Sequence, residues 1–429
     1  MTQSLRLLMA GALACIAGLL LSGALSASAL PPRLTTYDQP TTSEGPALAS
    51  SPTSTALSGT LHFIEVYTYS LAPYGSDSHV AADFDRDGRA DIVIAETLRP
   101  TLTSRLVLLR NLGNWQFAAT TLITYPTAGS YLYTVQAADL NHDLWPDLVL
   151  RNHCEIHVLL NDQLGDFTTS WILSDGYRYC GRGLALADMN GDDAIDILAG
   201  QQPGGGGRID LFTNDGSGTV FTLTWQSPLY GEPNAGTMKN LVPAKLNNDA
   251  APDIVASEIY NAVLVTFIGD GTGVTFTQIL SNDVGDRTYN MVGGNLNGDA
   301  LTDVVLNTDG VVRAYTAQGN GTLLETWSDP SVGIGSAQIL ADFDRDGYDD
   351  LFSSSFWTGQ LYVYLNRPLS GTFQLVWSGK LPGEIYSVTA ADMNGDDYPD
   401  LIVGEDSVLH IYRSVFLTQR YILPILLRT

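Results

Sequence analysis

The nine residues Asp83-Phe-Asp-Arg-Asp-Gly-Arg-Ala-Asp91 decide how this sequence is interpreted, because the same pattern returns six more times. Acidic or amide side chains occupy positions 1, 3, 5 and 9, with one exception at position 1, and an apolar run lies on either side of each copy. The later copies begin at Asp139, Asp188, Lys245, Asn295, Asp342 and Asp392, at intervals of 47 to 57 residues. We number these segments loops 1 to 7 in chain order.

Short β-branched runs bounded by turns predict four strands in each repeat, and no long helical pattern separates the copies. In the second repeat the strands are expected over residues 133–138, 147–151, 156–160 and 167–173, with a glycine-containing turn, Asn161-Asp-Gln-Leu-Gly-Asp-Phe167, before the last. A further strand over residues 61–69 precedes the first repeat. The sequence therefore predicts an all-β fold, a seven-bladed β-propeller of four-stranded antiparallel blades, closed by the N-terminal strand.

The chain is expected to have four parts. Residues 1–29 combine Arg6, an apolar run and Ala27-Ser28-Ala29, which is typical of a secretory signal peptide. An uncleaved membrane anchor and a lipid attached at Cys15 stay open as alternatives. Residues 30–59 form a Pro/Ser/Thr-rich linker, residues 60–413 the propeller and residues 414–429 a C-terminal tail. The protein is therefore expected to be secreted, extracellular or at the cell surface.

Two cysteines, Cys154 and Cys180, would remain after the signal is removed, in a compartment that permits disulfides. They flank one predicted pair of strands, so a bridge between them is a hypothesis. His153 and His157 would share one face of a strand, but no third zinc ligand is evident in the sequence, and ordinary packing is the favoured interpretation.

The repeated loops carry the ligand chemistry of calcium. Carboxylate or amide oxygens at positions 1, 3, 5 and 9, with the backbone carbonyl of position 7, can surround one Ca²⁺, and a glycine at position 6 allows the sharp turn. Seven copies in register are more than the ordinary preference of Asp and Asn for turns explains. The predicted metal ligands are Asp83, Asp85, Asp87, Arg89 and Asp91; Asp139, Asn141, Asp143, Trp145 and Asp147; Asp188, Asn190, Asp192, Ala194 and Asp196; Asn295, Asn297, Asp299, Leu301 and Asp303; Asp342, Asp344, Asp346, Tyr348 and Asp350; and Asp392, Asn394, Asp396, Tyr398 and Asp400.

These loops resemble the calcium loops of FG-GAP/VCBS repeats, which occur in integrin α-subunit propellers and in many bacterial secreted proteins. The resemblance covers about residues 60–413 and is fullest in loops 1 and 6. In loops 2, 3 and 7 the glycine of position 6 is replaced by Leu144, Asp193 and Asp397. Loop 5 begins with Asn295 and is a weaker site, whereas loop 4 begins with Lys245, whose ammonium would occupy the place of the cation. About five or six calcium ions are therefore expected.

The net charge of −25 argues against nucleic acid, or an anionic membrane after signal cleavage, as a partner. No hydrolase elbow, phosphate-binding loop or metalloprotease motif is present, so catalysis is not expected. The resemblance implies a binding or adhesion module for a glycan or an extracellular protein. The protein is expected to be a monomer, with calcium in a structural role because each ion would join two strands and cancel repelling charge. A polysaccharide lyase or hydrolase, using acids that meet across blades, and a structural envelope component remain alternatives.

Tyrosines near turns and strand ends are a second indication of recognition, because an exposed Tyr offers both apolar surface and a hydrogen-bonding hydroxyl. Packing between blades is the competing interpretation for each of them. The candidates are Tyr125, Tyr131, Tyr133, Tyr177, Tyr179, Tyr230, Tyr289 and Tyr386.

Overall fold

A computed structural model of the protein describes residues 59–71, 75–98, 101, 103–125, 131–152, 154–174, 183–201, 206–230, 238–258, 263–285, 287–333, 335, 337–368 and 371–418. The predicted signal peptide and most of the predicted linker and tail lie outside these residues. In the described part of the chain, no helix is long and apolar enough to cross a membrane.

Seven four-stranded antiparallel sheets form the fold, and each is one blade of a propeller. The first strand, β1 (Gly59–Ser70), belongs to the last blade. Blade 1 contains β2 (Gly75–Ala82), β3 (Asp91–Leu98), β4 (Thr103–Asn111) and β5 (Phe117–Tyr125); blade 2 contains β6 (Leu132–Ala138), β7 (Asp147–Asn152), β8 (Glu155–Asn161) and β9 (Phe167–Ser174); blade 3 contains β10 (Leu184–Ala187), β11 (Asp196–Gln201), β12 (Arg208–Asn214) and β13 (Phe221–Gln226).

The remaining blades repeat this arrangement, which confirms the predicted fold class. Blade 4 contains β14 (Met238–Ala244), β15 (Asp253–Glu258), β16 (Val263–Gly269) and β17 (Phe276–Asp283); blade 5 contains β18 (Thr288–Gly294), β19 (Asp303–Thr308), β20 (Val311–Ala317) and β21 (Leu323–Asp329); blade 6 contains β22 (Gln338–Ala341), β23 (Asp350–Ser354), β24 (Gln360–Arg367) and β25 (Thr372–Lys380); blade 7 contains β26 (Ile385–Ala391), β27 (Asp400–Glu405), β28 (Val408–Thr418) and β1.

The ring closes through the N-terminal strand, as predicted. β1 pairs antiparallel with β28, from Gly59 opposite Thr418 to Ser70 opposite Val408. β28 therefore extends past residue 413, where the sequence analysis placed the end of the propeller. Pairing of the first strand with the last satisfies the backbone groups that an open outer edge of β28 would expose.

Apolar side chains form one cluster at each contact between neighbouring blades. The second strand of each blade is buried along nearly its whole length, because neighbouring sheets cover both of its faces. This burial explains why these strands are continuous apolar runs rather than alternating patterns. The innermost strands β2, β6, β10, β14, β18, β22 and β26 contact one another in turn around the ring.

Alternation of the antiparallel strands gives the propeller two chemically different faces. Loops 1 to 7, which join the first strand of a blade to the second, lie on one face together with the turns between third and fourth strands. We call this the loop face. The turns between second and third strands and the connections to the next blade lie on the other, the connection face.

Candidate metal centres

The ninth aspartate of every loop is the first residue of a second strand and is fully buried. One carboxylate oxygen accepts the backbone N–H of position 2, and the other accepts an N–H at the end of the third strand. In loop 6, Asp350 accepts from Phe343 at 2.9 Å and from Asn366 at 2.7 Å. The same pair of bonds occurs in the other six loops, so this aspartate fastens each loop to the third strand of its blade.

The first aspartate organises the loop from the opposite end. In loop 6 the carboxylate of Asp342 accepts the backbone N–H groups of Asp346 and Gly347, both at 2.9 Å. Loops 1, 2, 3 and 7 form the same two bonds to positions 5 and 6. In loop 5 the side chain of Asn295 accepts only from Gly298, at 2.8 Å. In loop 4 position 1 is Lys245, whose side chain has no hydrogen-bond acceptor.

The backbone conformation also separates loops 1, 2, 3, 6 and 7 from loops 4 and 5. Positions 4 and 6 both adopt left-handed φ values in loops 1, 2, 3, 6 and 7, whereas loop 5 does so only at position 4 and loop 4 at neither. Leu144 has a φ of 70°, so position 6 turns the same way without glycine, although a Cβ makes this conformation costly. The sequence pattern indicates the turn at position 6 but not the one at position 4. The residues concerned are Arg86 and Gly88, His142 and Leu144, Gly191 and Asp193, Arg345 and Gly347, and Gly395 and Asp397.

Three carboxylates converge in each of the two loops with the fullest sequence match. In loop 1, one oxygen each of Asp83, Asp85 and Asp91 lies within 4.8 Å of the others. Loop 6 brings together Asp342, Asp344 and Asp350 in the same way. A set of oxygen donors alone, at such separations, fits Ca²⁺.

In loops 2, 3, 5 and 7 an asparagine stands at position 3, where its amide oxygen can replace a carboxylate as ligand. The backbone N–H of position 7 donates to the carboxylate of position 5 in all six predicted sites, which holds two more of the predicted ligand residues together. The carbonyl groups of position 7 stay predicted ligands.

Burial raises the pKa of the ninth aspartates, because desolvation disfavours the charged form more than the two backbone N–H groups favour it. Neighbouring loop carboxylates act in the same direction as burial. The pKa rises to about 7 for Asp91, Asp147, Asp196 and Asp400, to about 6 for Asp253 and Asp303, and well above the usual range for Asp350. A divalent cation among these groups would favour their ionised form.

A family model described as FG-GAP-like repeat matches residues 139–199, 188–256, 295–353 and 342–403, which together cover more than half of the chain. Each match spans two successive loops. The chain belongs to the FG-GAP-like repeat family. Loop 1 lies outside the matched residues but has the backbone conformation of loop 6, which lies inside them.

One solved structure of similar fold is a lectin from Agrocybe aegerita that recognises non-reducing terminal N-acetylglucosamine. Its identity to this chain is 20%, the match covers 70% of this chain and 81% of the lectin, and the TM-score is 0.50. A likeness at this identity concerns the fold alone. None of the curated protein sequences compared with the chain matches it.

Arginines on the third strands reach into three of the FG-GAP loops. Arg110 contacts Asp85 at 3.1 Å in loop 1, and Arg367 contacts Asp344 at 3.1 Å in loop 6. Arg413 contacts Asp396 at 3.1 Å in loop 7. These cations offset part of the repulsion among the carboxylates.

Lys245, at position 1 of loop 4, contacts the neighbouring blade through its backbone. Its backbone N–H and C=O bond to position 8 of loop 5, Thr302, at 2.9 and 2.8 Å. Among the described residues its ammonium forms no ion pair with a carboxylate of loop 4, and its place at the cation position stays a prediction. Loop 4 is thus held to the neighbouring blade by its backbone.

Asparagines that open the turns between third and fourth strands were missed as functional residues. The side-chain amide of Asn161 donates to the carbonyl of Phe84, position 2 of the preceding blade's loop, at 3.0 Å. Asn111, Asn214 and Asn366 make the equivalent bond to the preceding blade at 2.7 to 2.9 Å. The sequence shows these asparagines, but nothing in a single repeat indicates that the amide reaches the preceding blade.

Several other predicted groups have ordinary surroundings. Cys154 is disulfide-bonded, while Cys180, the expected partner, lies outside the described residues, as does His153. The Nε2 atom of His157 lies 3.0 Å from a carboxylate oxygen of Glu155, and its ring packs against Tyr125.

The tyrosines also have partners where the structure describes them. Tyr131 packs on Tyr133, Tyr230 donates to Gln278, Tyr289 donates to Asp309 and Tyr386 packs on Phe356, whereas Tyr177 and Tyr179 lie outside the described residues.

Proposed function

We propose that this protein is a secreted, calcium-binding FG-GAP propeller that acts as a binding or adhesion module for a glycan or an extracellular protein. Calcium binding is supported by the convergence of three carboxylates in each of loops 1 and 6. Loops 2, 3 and 7 have the same left-handed residues at positions 4 and 6. Five loops thus offer similar sites, and loop 5, with Asn295 and one left-handed position, is the sixth and weakest.

The role of calcium in this proposal is structural. The ligands lie between the first and second strands of a blade, and the ninth aspartate is already bonded to the third. A bound ion would hold these elements together and neutralise their carboxylates, which stabilises the folded state over the unfolded chain. The residues that would hold it are the predicted ligands of loops 1, 2, 3, 5, 6 and 7.

Metal analysis of the purified protein tests the calcium part. After equilibration with calcium and removal of free ions, we expect about five or six bound Ca²⁺ per chain. Asp342→Ala removes a carboxylate that organises loop 6, so this variant should retain one ion fewer. Lys245→Ala is the matched control, because loop 4 lacks the left-handed backbone of the other sites, and its calcium content should equal that of the wild type. A wild type without calcium would overturn the proposal.

The binding part is supported by the family, by the acidic surface and by the lectin of similar fold. Because that lectin recognises non-reducing terminal N-acetylglucosamine, oligosaccharides that end in this sugar are the first to test. We expect calcium-loaded protein to bind glycans on an array without cleaving them in parallel hydrolase and lyase assays. Cleavage of a bound oligosaccharide would instead identify a propeller enzyme, and an array without bound glycans would direct the search to extracellular proteins.

A further inference from the structure

Trp357 is the exception among the seven tryptophans of the chain, all of which the structure describes. Its side chain is 67% exposed, whereas the other six are half-buried. Four of those six pack on aromatic rings of the next blade, as Trp171 does on Phe221 with 4.9 Å between ring centroids. Packing between blades therefore explains most of the tryptophans but does not explain Trp357.

The loop that carries Trp357 is anchored on both sides. It joins β23 to β24 on the connection face, and the backbone N–H of Ser355 donates to Gln360 while that of Gly359 donates to Ser355. The N–H of Leu381, in the connection to blade 7, donates to the carbonyl of Gly359 at 2.9 Å. A Cβ at Gly359, whose φ is +66°, would approach the carbonyl oxygen of Leu381 at 2.2 Å, so this close contact requires glycine. Such bonds fix the backbone of the loop that carries the exposed indole.

Trp357 belongs to a group of side chains that spans blades 6 and 7. The ring of Phe356 meets the indole edge-on at 4.7 Å and the ring of Tyr386 edge-on at 5.1 Å. The hydroxyl of Tyr386 donates to a carboxylate oxygen of Glu384 at 2.6 Å. We call Phe356, Trp357, Tyr386 and Glu384 the Trp357 platform. It combines an exposed apolar surface with hydrogen-bonding groups, the two kinds of group that line small-molecule sites.

We propose that the Trp357 platform is the saccharide-binding site of this protein and takes an uncharged pyranose sugar. This inference rests on the proposed glycan-binding function and places it at one site. The apolar face of a pyranose ring matches the area of one indole, and its hydroxyl groups can donate to the carboxylate of Glu384. An anionic sugar is disfavoured by that carboxylate and by the net charge of −25. A peptide needs a longer groove than one exposed indole provides.

Acrylamide quenching of tryptophan fluorescence tests the site on the full-length, calcium-loaded protein. Acrylamide is uncharged, so the acidic surface does not exclude it, and Trp357 should supply most of the quenchable emission. Cellotriose, maltotriose and triacetylchitotriose are the saccharide probes, and trilysine is the peptide probe. We expect at least one trisaccharide to protect the wild type from quenching, whereas Trp357→Phe should lack the quenchable component and its protection.

Affinity measurements on the protecting trisaccharide complete the test. Trp357→Ala should weaken binding by about 30-fold or more, as for an aromatic residue at the centre of an interface, and Glu384→Gln by about tenfold. Leu164→Ala is the control, because Leu164 is an exposed apolar residue on the loop face and its loss should change neither binding nor folding. Unchanged melting temperatures would show that both platform variants fold.

The outcomes separate this inference from the function on which it rests. Glycan binding on the array that is unaffected in Trp357→Ala would overturn the site and leave the proposed function standing. No glycan on the array and no protection by any trisaccharide would overturn both. Protection by trilysine alone would assign the platform to a cationic peptide, contrary to the inference.

Discussion

The ninth aspartate of each loop combines a structural role with the proposed ligand role, and loop 4 allows the two to be separated. Asp253 makes the same two backbone bonds as Asp91, but its loop lacks the left-handed residues of the proposed metal sites. Replacing Asp253 by alanine leaves two buried N–H groups without acceptors and should lower the free energy of unfolding by about 3 kcal/mol, with or without calcium. Asp91→Ala should lower the free energy of unfolding by more in calcium than in chelator. Urea unfolding in both solutions measures the difference, and an equal dependence on calcium for the two variants would contradict a metal at Asp91.

A second prediction at the scale of single residues concerns His79, in β2, at the contact between blades 1 and 7. Its Nε2–H group donates to the carbonyl of Ile402 at 3.1 Å, and the hydroxyl of Ser387 lies 2.8 Å from Nδ1. Burial lowers the pKa of His79 to about 4 from 6.5. Between these two values the unfolded chain binds the proton and the folded protein does not, so the stability due to this group falls as the pH falls through that window.

Between pH 7 and 5 the loss at His79 should amount to about 2 kcal/mol. His79→Gln lacks the titrating group, so its free energy of unfolding should fall less than that of the wild type over this range, in buffers saturated with calcium. Gln163→Ala provides the control, because this exposed residue carries no titrating group and its variant should follow the wild type. Parallel pH curves for the wild type and His79→Gln would exclude His79 as the cause.

At the scale of loops and turns, the asparagine bonds between blades carry a prediction. Asn161→Ala removes the donor to the carbonyl of the buried Phe84 and to that of the partly buried Pro146. The loss should lower the free energy of unfolding by about 1 to 3 kcal/mol. Gln163→Ala, in the same turn but exposed, should change it little. Chemical denaturation of the two variants measures the contrast, and equal stabilities would show that the bond contributes nothing.

These elements also show what the sequence could and could not predict. Strands and loops were predictable, because each repeat carries its own apolar runs and its own acidic loop, and seven copies fix the period. The left-handed residues at position 4 were missed because Arg86, His142 and Arg345 carry no local sign of that conformation. The asparagine bonds and the Trp357 platform were missed for another reason. Both depend on groups in neighbouring blades, and a single sequence gives no distance between such groups.

At the scale of the whole molecule, two effects act on the stability of the ring: repulsion among the loop carboxylates and closure by β1. Pairing of β1 with β28 ties the N-terminal strand to the last blade and closes the ring, while the alternation of strands places the loops of all seven blades on one face. Their carboxylates are therefore concentrated on that face of a chain whose net charge is −25. Repulsion among them should lower the stability of the whole ring. A blade that loosens exposes the apolar clusters on both of its sides, so neighbouring blades lose stability with it.

Calcium and salt should therefore affect the stability of the ring in distinguishable ways. Removal of calcium with chelator leaves the carboxylates of five or six loops unneutralised, and we expect the melting temperature to fall by several degrees. In 1 M NaCl the Debye length is about 3 Å, so part of the loss caused by repulsion should be recovered, whereas calcium-loaded protein should gain little. Magnesium should restore less than calcium, because it requires fewer and stricter contacts. Melting curves in chelator, with and without salt, calcium or magnesium, measure these effects. A melting temperature that chelation leaves unchanged would contradict the structural role of calcium, and full recovery in salt alone would reduce that role to neutralisation of charge.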